Sequence, residues 1–303
     1  MRIFMKPVLH INAGIGWSAT KPLCHTFEKV RYCHRGSTTE CNVLYYLYER
    51  KYKPEHAQYY WETDHKHRGL DFVKKNTTLH WYMHYIKSHL KNDYLGVSDF
   101  SNSNASLPLH FLKEISPILQ ENFDVRVTII FRNPIRRSYS EISNWYRNFT
   151  ENEKAPSQWK NRDPEKVQEW KKIKETFPDS ISYWKNELEH NNPSFRIPSY
   201  MKTYNNYKSA FPKVFPVIME DVWKDPSELS KFIDCPISEM SPNVYYPEMG
   251  TNRPEIPGLG DQYNSDLQDL SDEDLAYGRE KLDWVYKECQ ESGIYPKCSS
   301  QSW

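Results

Sequence analysis

The stretch that decides the fold is VRVTIIFRNPIRRSYS, residues 125–140. Its first seven residues, Val125–Phe131, are mostly apolar and are typical of a strand that is buried on both faces. Arg132 follows directly, and Pro134 suits the first turn of a helix, where its missing N–H costs nothing. Apolar residues then recur every three or four positions, which is typical of one buried helix face. The stretch therefore predicts a strand that runs into a helix through a basic loop.

The same alternation of strand and helix extends in both directions from this stretch. Further strands are predicted at residues 7–12, 94–98 and 214–219. A helix is predicted to begin near Ala19. Further helices are predicted near residues 40–50, 77–91, 105–121, 135–149, 177–190, 198–210 and after Ser271, with a long loop over 236–262. Alternating strands and helices predict an α/β fold with a central parallel sheet. Ligands of such sheets bind at the carboxyl ends of the strands.

Composition limits the possible classes of protein. The 303 residues include 40 basic and 40 acidic side chains, so no general affinity for nucleic acid or an acidic membrane surface is expected. No apolar run approaches the roughly 18 residues of a membrane span and no signal peptide is recognisable, which predicts a cytoplasmic protein without a membrane segment.

We expect a single domain over residues 1–303, with 150–200 as a helical excursion or lid. The six cysteines form no C-x-x-C pair, so reduced thiols are expected and no metal.

The first candidate loop is NAGIGWSATKPL, residues 12–23. Two glycines between a strand and a helix allow the backbone to approach an anion, and free N–H groups of the first helical turn point at it. The residues expected to line this site are Gly14, Ile15, Gly16, Trp17, Ser18, Ala19, Thr20 and Lys21. Such turns also have purely structural uses. The spacing from Gly14 to Lys21 does not fit the P-loop pattern G-x-x-x-x-G-K-[ST], and Pro22 stands where that pattern has a hydroxyl.

The second candidate loop covers residues 131–140 and holds three arginines and two serines. A guanidinium group can bind a terminal phosphate with two parallel hydrogen bonds. Arg132, Arg137 and Ser140 are the residues expected to bind it. The alternative is a solvated basic helix start. An arginine directly after an apolar strand is, however, a stronger indication of an anion site than an arginine on an open surface.

Together and in this order, the two loops resemble the sulfotransferases that use 3′-phosphoadenosine 5′-phosphosulfate (PAPS), and among them the carbohydrate and heparan types. The family motif R-[DN]-P-x-x-R-x-x-S is matched by Arg132, Asn133, Pro134, Arg137 and Ser140. The family motif G-x-x-[KR]-[ST]-G-T-[TS] is matched by Gly14, Ser18 and Thr20. The chain departs from it at Trp17, where the family has a cation, at Ala19, where it has glycine, and at Lys21, where it has a hydroxyl.

The resemblance implies a P-loop-like three-layer fold and a site for PAPS that needs no metal. Lys21 would supply the charge missing at Trp17, and Arg253 would lie near the 3′-phosphate. Asp99, which follows the strand at 94–98, takes the position of the base that deprotonates the acceptor. His25, His80 and His84 are alternative bases. The acceptor implied is a glycan or another hydroxyl compound.

Two other classes of protein remain open at this point. One is a P-loop-type nucleotide kinase or hydrolase that uses ATP and Mg²⁺, with the arginines of the second loop acting as lid arginines. The other is a non-catalytic protein of the same fold that binds a glycan or a protein. Trp17 and Ala19 are the residues that favour the second alternative.

Overall fold

A computed structural model of the chain describes residues 6–14, 20–36, 41–54, 78–150, 164–190, 199–238, 240 and 270–294. The chain forms two compact units. The first comprises residues 1–132, 198–244 and 294–302, and the second comprises residues 133–197 and 245–293 together with Trp303. The chain thus passes from the first unit into the second immediately after Arg132. The expectation of one domain over 1–303 stays a prediction.

The predicted strands are confirmed, and all of them lie in the first unit. They are β1 (Val8–Asn12), β3 (Gly96–Asp99), β4 (Asp124–Phe131) and β5 (Val214–Ile218). A further strand, β2 (Cys33–His34), escapes prediction because two residues carry no periodicity. Every residue of β1 is buried, as expected for a parallel strand that is covered on both faces.

The strands form one parallel sheet in the order β2-β3-β1-β4-β5. The chain leaves β1 toward the β2 edge but leaves β4 toward the β5 edge. Because parallel crossovers are right-handed, connections that run in opposite directions cover opposite faces of the sheet, which gives three layers. The predicted α/β fold is therefore confirmed. The direction reverses between the neighbouring strands β1 and β4, and ligands of open α/β sheets bind at such a reversal.

Twelve α-helices lie within the described residues. They are α1 (Thr20–Lys29), α2 (Val43–Tyr52), α3 (Leu79–Ser88), α4 (Leu109–Asn122), α5 (Pro134–Thr150), α6 (Pro164–Thr176), α7 (Ser180–Glu189), α8 (Tyr200–Ala210), α9 (Met219–Val222), α10 (Ser227–Ile233), α11 (Asp272–Lys281) and α12 (Asp283–Glu291). The second unit holds α5, α6, α7, α11 and α12. None of these helices is long and apolar enough to cross a membrane.

Two predicted helices differ from the observed ones. The helix predicted at 105–121 is a 3-10 turn over Asn102–Ser106 followed by α4, because Leu107 is extended before Pro108. The helix predicted after Ser271 is two helices, α11 and α12, that meet at Leu282. Ser271 does cap α11 as predicted, and it forms a reciprocal capping box with Asp274.

The second unit is built around one face of α5. Ile135, Tyr139, Ile142 and Tyr146 are buried on that face, as the helical spacing predicts. The Nε1 of the buried Trp184 on α7 donates a 3.0 Å hydrogen bond to Ser138 Oγ. Within the predicted excursion at 150–200, the structure describes residue 150, residues 164–190 and residues 199–200. Residues 164–190 contain α6 and α7, and Tyr200 is the first residue of α8. Its role as a lid stays a prediction.

Candidate functional site

The turn after β1 is tightly packed around Gly14. A Cβ atom on Gly14 would lie 2.9 Å from Asn12 Nδ2 and 3.0 Å from both Ile130 Cδ1 and Thr20 Cγ2. Backbone pairing continues to this point, because Ala13 N donates to Thr128 O at 2.9 Å. The turn therefore has little room for a side chain at position 14, because the side chains of Asn12, Ile130 and Thr20 pack against it.

The rest of the first loop is described only in part. Thr20 is the first residue of α1 and is buried, whereas Lys21 is exposed. Ile15, Gly16, Trp17, Ser18 and Ala19 lie outside the described residues, as does Arg253. Their predicted contacts with the nucleotide, and the charge that Lys21 is expected to supply, stay predictions.

Arg132 lies at the carboxyl end of β4, the strand beside β1 at the reversal of direction. Its side chain is only 3% exposed. Its carbonyl oxygen accepts a 2.8 Å hydrogen bond from the hydroxyl of Tyr200 at the start of α8. The hydrogen bond from Tyr200 thus holds the backbone of Arg132, and the side chain is buried at the carboxyl end of β4.

Asp99 ends β3, on the other side of β1, and is 2% exposed. Its Oδ2 accepts from the Tyr82 hydroxyl at 2.9 Å. Its Oδ1 accepts from Ser101 N at 3.0 Å and from Ser101 Oγ. The carboxylate therefore ties α3 and the segment after β3 to the sheet. Because Oδ2 accepts from one donor only among the described residues, it keeps a lone pair that could take a proton. The assignment of Asp99 as base stays a prediction.

The three alternative bases lie on two helices of the first unit. His25 is half-buried on α1, next to the buried Cys24. His80 and His84 are exposed and one turn apart on α3. The choice among Asp99 and these three imidazoles stays a prediction.

The remaining residues of the arginine motif lie in the second unit. Asn133 Oδ1 accepts from Ile135 N at 3.0 Å and Arg136 N at 3.2 Å, so it caps the start of α5. The Tyr286 hydroxyl donates to the same oxygen at 3.1 Å. The sequence motif does not reveal this last contact, because Tyr286 is 153 positions away.

Arg137 and Ser140 are both buried on α5. Arg137 Nη2 forms a 2.8 Å ion pair with Glu141 Oε2, one turn along the same helix. Burial raises the pKa of Glu141, although the positive charge of Arg137 acts in the opposite direction. Glu141 is a partner that the sequence analysis did not identify. The binding of a phosphate by Arg137 and Ser140 stays a prediction.

A chain of buried hydrogen bonds crosses the sheet beneath the Gly14 turn. His10 Nδ1 lies 3.0 Å from the Tyr32 hydroxyl, and His10 Nε2 lies 2.9 Å from Thr128 Oγ1. Thr128 Oγ1 in turn donates to Asn12 Oδ1 at 3.1 Å. The ring of Phe27 packs edge-on against His10 at 4.6 Å between centroids. This chain of hydrogen bonds has no signature in the sequence, because the single histidine within β1 looks like any other strand residue.

The buried His10 predicts a pH dependence of stability. Burial, with a smaller contribution from the nearby charge of Arg126, lowers the pKa of His10 from 6.5 to about 3. Below pH 6.5 the unfolded chain takes up a proton that the folded chain does not, so stability falls as the pH decreases toward about 3. The loss attributable to His10 is about 1.4 kcal/mol per pH unit.

Urea unfolding of the wild type and of His10→Gln at pH 7 and pH 5 measures this effect. The wild type is expected to lose about 2 kcal/mol more than the variant over that range, because glutamine does not titrate. Groups elsewhere in the chain contribute equally to both proteins and cancel. Equal losses in the two proteins would show that His10 is protonated in the folded state.

The five cysteines that the structure describes do not join other described residues in a metal site. Within the described residues no group of three or more His, Cys, Asp or Glu side chains could hold a metal ion. Cys24, Cys33, Cys41, Cys235 and Cys289 are free thiols. Burial raises the pKa of each of these thiols, which keeps them protonated and poorly reactive.

The first unit thus places Gly14, Asp99 and Arg132 at the ends of three neighbouring strands, β1, β3 and β4, at the carboxyl edge of one parallel sheet. The second unit holds Arg137 and Ser140 on α5. The carboxyl edge of the sheet in the first unit suits an anionic ligand at the reversal point between β1 and β4. In comparisons with known proteins, no protein-family model and no curated protein matches the chain.

Proposed function

We propose that the chain is a sulfotransferase that moves a sulfuryl group from PAPS to a hydroxyl or amine acceptor, with a carbohydrate as the preferred acceptor class. The observation that carries the proposal is the buried Arg132 at the end of β4, at the reversal point of the sheet. The same arginine opens the motif R-N-P-x-x-R-x-x-S, which is the closest likeness of the chain to the family.

Different residues would bind the two ends of the nucleotide. The turn through Gly14 and the start of α1 at Thr20 favour an anion, because the free N–H groups of a first helical turn carry partial positive charge. α1 has no acidic residue in its first turn to oppose this. Lys21 would add a positive charge near the leaving 5′-phosphate, and Arg132 would hold the 3′-phosphate.

The proposed reaction is an in-line displacement in which the acceptor oxygen bonds to sulfur as adenosine 3′,5′-bisphosphate leaves. Catalysis would come from positioning and from cations around the leaving group. The base that removes the acceptor proton would be Asp99 or one of His25, His80 and His84. The carbohydrate acceptor rests on the resemblance and on the high Trp and Tyr content of the sequence, since such rings can stack on sugars.

A comparison of nucleotides in thermal unfolding tests the proposal. At concentrations near 100 times the dissociation constant, adenosine 3′,5′-bisphosphate should stabilise the fold by about 2.7 kcal/mol, which raises Tm by about 5 °C or more. ATP with Mg²⁺ should leave Tm unchanged. The reverse pattern would indicate a P-loop-type kinase or hydrolase. A Tm that neither nucleotide moves at millimolar concentration would indicate a non-catalytic binding protein.

A further inference from the structure

Asn12, the last residue of β1, combines complete burial with an unused donor. Its side chain is 0% exposed. Its Oδ1 accepts from Thr128 Oγ1 at 3.1 Å, whereas its Nδ2 has no hydrogen-bond partner among the described residues. A buried amide donor without a partner costs about 1–3 kcal/mol, so its retention requires an explanation.

The buried hydrogen bonds fix which way the carboxamide of Asn12 faces. The Thr128 hydroxyl has one hydrogen, which it donates to Asn12 Oδ1. The 2.9 Å contact with His10 must therefore have His10 Nε2–H as donor and Thr128 Oγ1 as acceptor. In the neutral ring this leaves Nδ1 to accept from the Tyr32 hydroxyl. Every bond runs in one direction, from Tyr32 to Asn12.

This directed chain leaves the NH₂ group of Asn12 facing the Gly14 turn. Asn12 Nδ2 lies 2.9 Å from the position that a Cβ on Gly14 would occupy. A side chain on residue 14 would close this space. The backbone of Asn12 is also held, because its carbonyl oxygen accepts from Asn104 Nδ2 at 3.4 Å. The amide donor thus occupies a prepared position beside the turn, at the sheet edge where α1 begins.

We propose that Asn12 is a nucleotide-binding residue whose Nδ2 donates a hydrogen bond to an anionic oxygen at the 5′ end of the nucleotide. Thr128 and His10 are positioning residues that keep the amide group facing that oxygen. This inference rests on the proposed function, and it adds a contact that the two sequence motifs do not contain. Its ligand chemistry is a phosphate or phosphosulfate ester on the 5′ carbon of adenosine.

Two ligands that differ only at the 5′ end separate this role from general damage to the fold. Calorimetric titration with adenosine 3′,5′-bisphosphate and with adenosine 3′-monophosphate gives a ratio of dissociation constants for each protein. Asn12→Asp keeps the shape and the acceptor for Thr128 but replaces the donor with an oxygen. Asn12→Asp is expected to raise the dissociation constant of the bisphosphate at least tenfold, whereas the dissociation constant of the 3′-monophosphate should change less than twofold.

Thr128→Val tests the positioning chain in case Asn12→Asp does not fold. Valine matches threonine in shape but releases Asn12 Oδ1, so bisphosphate binding should weaken by about three- to tenfold with the 3′-monophosphate unchanged. Thr26→Val is the matched control, since it also removes a buried threonine hydroxyl, one that donates to Pro22 O at 2.9 Å. The control should bind both ligands as the wild type does.

The outcomes distinguish this inference from the proposed function. Suppose that the wild type binds the bisphosphate and that both variants either keep their affinity for the two ligands or lose affinity for both by the same factor. The role of Asn12 is then overturned, and the proposed function stands. If the wild type binds neither ligand, the proposed function and this inference fall together. A selective loss of the bisphosphate supports both.

Discussion

Replacing Arg132 with alanine is expected to weaken the binding of adenosine 3′,5′-bisphosphate by about 100-fold or more. Each hydrogen bond from a guanidinium to a phosphate contributes roughly 1.5–3 kcal/mol, and the planar fork makes two of them. The side chain of Arg132 is 3% exposed and its carbonyl oxygen accepts from Tyr200. Because this position is buried and its backbone is held, we expect no neighbouring side chain to move in and replace the lost guanidinium group. Calorimetric titration of both proteins measures the difference.

Adenosine 5′-monophosphate, which lacks the 3′-phosphate, shows whether the loss is local. Its affinity should be the same for the wild type and Arg132→Ala, because Arg132 is assigned to the 3′ end. Arg132→Lys should recover part of the affinity, since lysine keeps the charge but not the fork. Arg31→Ala is the control for loss of a basic charge, because Arg31 forms an exposed ion pair with Asp93. An equal loss for both nucleotides in Arg132→Ala would contradict the assignment.

Gly96→Ala is expected to destabilise the fold by about 3 kcal/mol or more, which is large for the addition of one methyl group. Gly96 is the first residue of β3 and pairs with Val8 of β1. A Cβ at this position would overlap the carbonyl oxygen of Val8. The Cβ position is fixed by the backbone of β3, and the oxygen belongs to the backbone of β1. Neither atom can rotate away, so β1 and β3 must separate.

Urea unfolding measures this loss. Leu95→Ala is a matched control, since Leu95 is the preceding residue and is 48% exposed. Its side chain should contribute within about 0.5 kcal/mol. A Gly96→Ala protein as stable as the wild type would mean that β1 and β3 do not pair in the described register.

The elements that could be predicted from the sequence are those whose signal is local. The apolar run Val125–Phe131 specifies a buried strand by itself, and the serine at 271 specifies a helix start through its capping box. The turn at Gly14 was likewise expected from its neighbours in sequence. In each case the residues that decide the structure lie within a few positions of one another.

The features that escaped prediction depend on contacts between distant residues. The side chain of His10 meets Tyr32, which is 22 positions away, and Thr128, which is 118 positions away. The resemblance makes Asp99 a candidate base, because it follows a predicted strand. Its engagement with Tyr82, which lies on a separate helix, follows only from the packing of α3 on the sheet. The local sequence signals therefore predict a ligand site at the carboxyl edge of the sheet but not the buried groups behind that edge.

The most direct test of the proposed function is a crystal structure of the protein with adenosine 3′,5′-bisphosphate. The proposal predicts electron density for the nucleotide at the carboxyl edge of the sheet, with the 3′-phosphate against the guanidinium of Arg132 and the 5′-phosphate at the turn through Gly14. A nucleotide bound elsewhere on the chain, or bound at this edge without contact to Arg132, would contradict it.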